Sequence, residues 1–188
     1  RRRRTGPSFT ESIAIMFESL DFERLRGIGF APSLVSSLAA LQADFPATTP
    51  MRVTEVQREG LRLHDGSTEL SARPLPALRH ALDAEADALA CGDWVLAERN
   101  TLGEWWAVAR LPPLNQLARR LHDGRDKVER VVIVATVDTV LVTMGLDHDF
   151  NLRRLERYVA LVRMAGVGAV VVLTKADQCP DAATRLAQ

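Results

Sequence analysis

Val170-Val171-Val172-Leu173-Thr174-Lys175-Ala176-Asp177 is an unbroken apolar run that ends in a Lys-x-Asp pair. A run without alternation reads as a strand buried on both faces, as in a parallel α/β sheet. Its polar tail then falls at the strand's carboxyl end, where open α/β sheets place their ligands. Upstream, Asn151 has the chemistry of a helix N-cap, and Leu152, Leu155, Val159 and Val162 form an apolar stripe opposite Arg153, Arg154 and Arg157. Gly166 or Gly168 ends that helix. Two more β-branched runs lie at 131–134 and 137–144. The pattern predicts a β-α-β unit within 131–188.

Further toward the amino terminus the period falls to two. In 51–63, Val53, Val56, Leu61 and Leu63 alternate with Arg52, Glu55, Arg58 and Arg62 around a Glu59-Gly60 turn, which predicts a β-hairpin. Asp65-Gly66-Ser67 makes the next turn, 68–73 a third strand and the Ala/Leu-rich 77–89 a helix. Residues 92–99 and 104–110 supply two more strands around Gly103. Three strands, a helix and two strands follow the order of a five-stranded OB-fold barrel, a fold that often binds nucleic acid. The expected class is α+β in two domains, an OB-fold β-barrel over 51–111 followed by part of an α/β domain. Helices joined by Gly27-Ile28-Gly29 occupy 16–50, and 1–15 reads as a disordered or non-native extension. Between 112 and 130 lies a basic linker, because six Lys/Arg between Arg110 and Arg130 face only three Asp/Glu.

Over all 188 residues, 24 Lys+Arg balance 24 Asp+Glu, with 47% hydrophobic and 26% charged residues. Those proportions exclude a disordered tail. No apolar stretch approaches the roughly 20 residues that a membrane-spanning helix needs. Cys91 and Cys179 lie far apart and form no four-ligand zinc set, so they read as free thiols in a reducing cytosol. Lys127 and Lys175 are the only lysines in an arginine-rich chain.

Thr174-Lys175-Ala176-Asp177 matches the guanine-specificity motif Asn/Thr-Lys-x-Asp. In that motif the carboxylate accepts two hydrogen bonds from the ring N–H and exocyclic amine of guanine, which adenine cannot offer. The lysine stem lies over the base, and the first residue braces the loop. Asp177, Lys175 and Thr174 would take these roles, Thr174 being a shorter brace than Asn. An ordinary solvated turn after a core strand fits the same residues. The scarcity of lysine favours the motif, since an Arg fork differs from a Lys stem in geometry. Neither lysine follows a glycine, so the phosphate-cradling Gly-x-x-x-x-Gly-Lys-Ser/Thr is absent. Either the chain is not a GTPase, or its motifs are permuted and the phosphate loop lies beyond Gln188.

The segments 138–147, 149–158 and 172–177, with Gly92-Asp93-Trp94-Val95 and the Arg110-Leu111-Pro112 exit, closely resemble the RsgA (YjeQ) family of circularly permuted GTPases of small ribosomal subunit assembly. The resemblance spans roughly 21–181 and keeps the family's motif order. It implies an OB domain that contacts 16S rRNA of the 30S subunit, and a circularly permuted P-loop-type GTPase domain using GTP and Mg²⁺. It also implies a zinc domain (Zn²⁺) beyond this chain, and a cytoplasmic monomer with no membrane partner. Thr136 stands where the family often has Asn. On this reading the chain holds no catalytic residue or metal ligand, and 1–188 alone neither hydrolyses GTP nor holds it tightly. The rival expectation is a non-catalytic OB-fold RNA-binding module with a vestigial α/β half.

For RNA, the candidates are Arg52, Arg58, Arg62, Arg110, Arg119 and Arg120 for phosphates and Trp105 for stacking on a base. Trp105 and Trp106 are adjacent on a strand and face opposite ways, so one of them fills the barrel, and Trp94 reads as core. Asp147-His148-Asp149 lacks a fourth ligand and reads as a loop before the Asn151 cap, and His64, His80 and His122 have no partner for catalysis.

Overall fold

The computed structural model describes residues 20–122 and 128–186. The expected extension 1–15, and the start of the first helix at Met16 and Phe17, lie outside them. The chain divides into two compact units, 1–114 with 118–135, and 115–117 with 136–188.

In the first unit, β1 (Thr49–Val56), β2 (Leu61–His64), β3 (Glu69–Pro74), β4 (Trp94–Arg99) and β5 (Trp105–Arg110) close a barrel in the order β1-β2-β3-β5-β4. All neighbours are antiparallel except β3 and β5, which run parallel. Alternation decides what fills it: Met51, Val53, Leu61, Leu63, Val95, Ala97 and Ala107 point inward and are buried. Register shifts between Val53 and Glu55, and between Leu96 and Ala97, mark the irregularities that bend strands round a small barrel. The OB order expected from the sequence is thus realised.

Helix α1 (Phe22–Gly27), a 3-10 turn at Pro32–Leu34 and α2 (Val35–Asp44) carry Leu25, Phe30, Leu34 and Leu38 onto the outer side of β4 and β5. Trp94 belongs to this cluster, 1% exposed, with the Phe30 ring packed edge-on at 4.9 Å. It is therefore core, as expected, in the layer beneath the helices. Helix α3 (Pro76–Ala84) packs Leu78 and Leu82 against the barrel core.

The basic segment 112–130 is not a plain linker. It contains β6 (Gln116–His122), which pairs with β7 (Val128–Ala135). The run 131–134, expected in the parallel sheet, therefore lies in a separate two-stranded sheet, with Ile133 46% exposed. A parallel bridge from Cys91 to Val134 and the hydrogen bond from Ala135 N to Cys91 O (2.9 Å) tie β7 to the barrel. Continuous apolar character did not discriminate here, because a half-exposed β-branched strand and a buried one have the same composition.

In the second unit, β8 (Thr139–Gly145) and β9 (Gly168–Thr174) pair in parallel through helix α4 (Leu152–Met164). Asn151 caps α4, its side chain accepting from Arg154 N at 3.0 Å. Leu155 and Val162 are buried, as are Val142 and Met144 on β8. Leu141 (64%) and Val170 (47%), paired across the strands, remain exposed. The run in β9 thus signals more burial than one helix on a two-stranded sheet provides. Asn115 braces the entry to β8, donating to Val137 O and accepting from Val137 N, both at 2.9 Å. Thr136 sits at φ +51°, a left-handed conformation in which a β-branched residue is strained and Asn is favoured.

Candidate functional site

At the carboxyl end of β9, Thr174 O accepts the Leu146 N–H at 2.9 Å, so the ends of the two parallel strands stay level. Thr174 Oγ1 makes a 3.5 Å contact to Met144 O. Lys175 then turns left-handed, φ +59°, and opens a 3-10 turn, Ala176–Gln178. A non-glycine residue held there is costly, of the order of 1–3 kcal/mol, and such outliers cluster at binding sites. Cys179, 8% exposed, anchors the far side of the turn in the unit's core. Asp177 is exposed, and no hydrogen bond or ion pair ties its carboxylate among the described residues. The three sequence candidates are therefore brought together on one loop, with an untethered acceptor at its crest.

Lys175 Nζ donates to Asp147 Oδ2 at 2.5 Å. Asp147 Oδ1 accepts the Asp149 N–H at 3.1 Å. The bond to Lys175, then the Asp149 amide, hold the Asp147 carboxyl below its ordinary range, and Asp147 in turn raises the Lys175 ammonium. The sequence predicts a plain loop at Asp147-His148-Asp149. It is a loop, but one tied to the guanine motif, and the signal available was an acid placed just after β8, level with the end of β9. Among the described residues, no group of three or more His, Cys, Asp or Glu is gathered as for a metal ion.

The barrel arginines divide sharply. Arg110 is sequestered: its side chain, 6% exposed, donates to Asp93 Oδ1 at 3.0 Å and to Asp87 Oδ2 at 2.9 Å. Burial pushes the Asp93 carboxyl up to about 6, against the opposing pull of the Ala90 amide and Arg110. Arg52 donates to the Ile28 carbonyl at 2.5 Å, and Arg62 to Glu69 at 2.8 Å and Ser71 at 3.4 Å. Arg110 and Arg52 thus serve the fold, whereas Arg62 is engaged by Glu69 on the surface. Arg119 is exposed on β6, and the side chain of Arg120 lies outside the described residues.

Arg58 instead lines a groove of ≈ 1000 Å³ with Arg73, Arg79, Trp105 and Trp106, between the β1–β2 turn and the β4–β5 turn. Those two loops border the nucleic-acid face of OB-folds. All three arginines are exposed, and both indoles are half-buried. Trp105 packs on the barrel core and Trp106 on the helical cluster. Glu59 and Glu104 also line the groove, which limits its positive charge. Arg73 and Arg79 escaped sequence reading because nothing in one strand and one helix announces that their side chains converge.

A barrel of OB order followed in the chain by a parallel β-α-β unit is the arrangement of part of a circularly permuted GTPase fold. The crystal structure of YloQ, a circularly permuted GTPase, matches with a TM-score of 0.52 over 74% of this chain and 45% of that one, at 16% identity. YjeQ from Thermotoga maritima matches with a TM-score of 0.53 over 74% and 46%, at 15% identity. The family model described as RsgA GTPase matches residues 112–188. The small ribosomal subunit biogenesis GTPase RsgA of Xanthomonas oryzae pv. oryzae (strain PXO99A) is 37% identical over 173 residues, 90% of this chain and 46% of the relative. Its counterpart in Xanthomonas axonopodis pv. citri (strain 306) is 36% identical over the same shares. The chain is thus similar to the RsgA GTPase family over 112–188 and to these relatives over 90% of its own length, and it spans about half the length of these relatives.

Proposed function

We propose that this chain supplies the guanine-selecting loop and an RNA-contacting barrel of a GTPase acting in small ribosomal subunit assembly. The observation that carries the reading is the untethered Asp177 carboxylate beside a left-handed Lys175 at the carboxyl end of a parallel strand. There Asp177 accepts from the N–H groups of guanine and the Lys175 stem covers the base. The residues present fit the base of GTP and include no Gly-x-x-x-x-Gly-Lys-Ser/Thr for its phosphates or Mg²⁺. No hydrolytic step is assigned to them. A chimera joining residues 1–188 to the remainder of the Xanthomonas oryzae relative tests the assignment. Asp177→Asn should move its preference from GTP toward XTP, and unchanged GTP selectivity would contradict the role of Asp177. Residues 1–188 alone should show no turnover, and measurable hydrolysis by the purified fragment would overturn that expectation.

The RNA reading rests on the barrel groove. Exposed Arg58, Arg73 and Arg79 contact phosphates of 16S rRNA in the 30S subunit, and half-buried Trp105 offers a stacking surface. The cell compartment is the cytoplasm, where ribosomes are assembled. Alanine at Arg58 or Arg73 should weaken RNA binding and reduce the salt slope by about 1 each. Alanine at Arg62 should leave the slope unchanged, because that guanidinium is engaged by Glu69. Equal slopes in all three variants would remove the groove from the RNA interface.

A further inference from the structure

Lys175 and Asp147 meet over a gap left by a glycine. A Cβ on Gly145, at the end of β8, would stand 2.8 Å from Asp147 Oδ1, 3.3 Å from its Cγ and 3.4 Å from Lys175 Cδ. The φ of Gly145 is not positive, so its backbone conformation does not require glycine. What the missing side chain provides is room for the acid and for the lysine stem that reaches it.

The loop carrying Asp147 is gripped from two further sides. Leu146 N–H bonds to Thr174 O, ahead of Lys175. Arg185, on helix α5 (Ala182–Leu186), donates to Leu146 O at 2.5 Å and Asp147 O at 3.2 Å, with its guanidinium 5.3 Å from the Phe150 ring centroid. Two cations that flank Asp177 in sequence therefore fasten to the same short stretch. The Asp147 side chain is 9% exposed, whereas that of Lys175 is 50% exposed. The acid is thus the fixed member of the pair and the lysine the member it holds. The other charged groups facing Asp147 are His148, at 3.8 Å, and Asp149, whose carboxylate pairs with Arg154 at 2.9 Å.

We propose that Asp147 is a positioning residue for nucleotide recognition, which together with the Gly145 gap holds the Lys175 stem in place before a guanine base arrives. This rests on the guanine reading of the loop above. Lysine loses much rotamer freedom when it is ordered, and a stem already tethered brings less of that cost to the binding step. Asp147 acts through Lys175 and does not itself touch the base.

The chain has only Lys127 and Lys175, so lysine labelled at Cε gives two NMR signals, one serving as an internal reference. In the wild-type chain, Lys175 should titrate above the ordinary lysine value. Asp147→Asn keeps an acceptor for the Asp149 amide but loses the charge, and should lower the Lys175 midpoint. GDP, added at millimolar concentration and followed on the Lys175 signal, should bind roughly 2- to 10-fold more weakly to Asp147→Asn. Gly145→Ala keeps both charges and should weaken GDP binding in the same direction by crowding the pair. Unchanged GDP binding in both variants, with Asp177→Ala abolishing it, would overturn the positioning role while leaving the guanine reading intact. A Lys175 signal insensitive to GDP in the wild type, or GDP binding unaffected by Asp177→Ala, would overturn the guanine reading and this proposal with it. A Lys175 midpoint unmoved by Asp147→Asn would overturn the pairing itself.

Discussion

At the foot of the barrel, Arg110, Asp93 and Asp87 form a cluster with side-chain exposures of 6%, 0% and 20%. At the end of β9, Lys175 is half exposed over Asp147, while Asp177 beside it is tied to nothing among the described residues. Both clusters pair acids with a base at hydrogen-bond distance, yet their consequences differ. A buried pair already bears its desolvation cost, so removing one member leaves a stranded charge. An exposed pair contributes little to stability. Its lysine can exchange partners, and the acceptor beside it is open to a ligand. Burial and unsatisfied hydrogen-bonding capacity, more than residue type, separate the charges that hold this molecule together from those available to bind.

That contrast is easiest to break by truncation. Arg110→Ala should cost about 3–5 kcal/mol in urea unfolding followed by tryptophan fluorescence, whereas Lys175→Ala should leave the unfolding midpoint nearly unchanged. Similar losses would erase the distinction.

A pH series sharpens it. Asp93 is an acid raised from 3.8 to about 6, so the unfolded chain releases its proton first. Its contribution therefore falls as pH rises through that window, and Asp93→Asn should flatten this part of the stability curve. Asp147 behaves oppositely. Its carboxyl is depressed by Lys175 and the Asp149 amide, so its contribution is present above the ordinary carboxylate range and is lost as pH falls through the folded value. A stability curve that is identical in wild type and Asp93→Asn between pH 4 and 6 would contradict the assignment for Asp93. A modest gain is expected at Thr136, where Asn suits φ +51° better, so Thr136→Asn should add about 1 kcal/mol in the same unfolding assay.

The alternation of 51–63 and the turn glycines made the barrel legible in the sequence, because period two has one structural meaning when one face is buried. The α4 helix and its Asn151 cap were legible for the same local reason. The placement of 131–134 was not, since a β-branched run does not state which partner it takes. The loop 174–177 was legible as a motif, while its support by Gly145, Asp147 and Arg185 depends on contacts across some 30 to 40 residues of chain. Among the arginine candidates, Arg58 lines the groove, Arg62 pairs with Glu69 on the surface, and Arg52 and Arg110 turn inward to a carbonyl and to carboxylates that only the fold brings near.

Nucleotide discrimination at the β9 loop tests the central claim most directly. The Lys175 signal of the labelled chain should respond to GDP and not to ADP, and in Asp177→Asn the response should transfer from GDP to XDP. Indistinguishable responses to GDP and ADP, or an Asp177→Asn chain that still prefers GDP, would contradict the assignment of this loop to guanine.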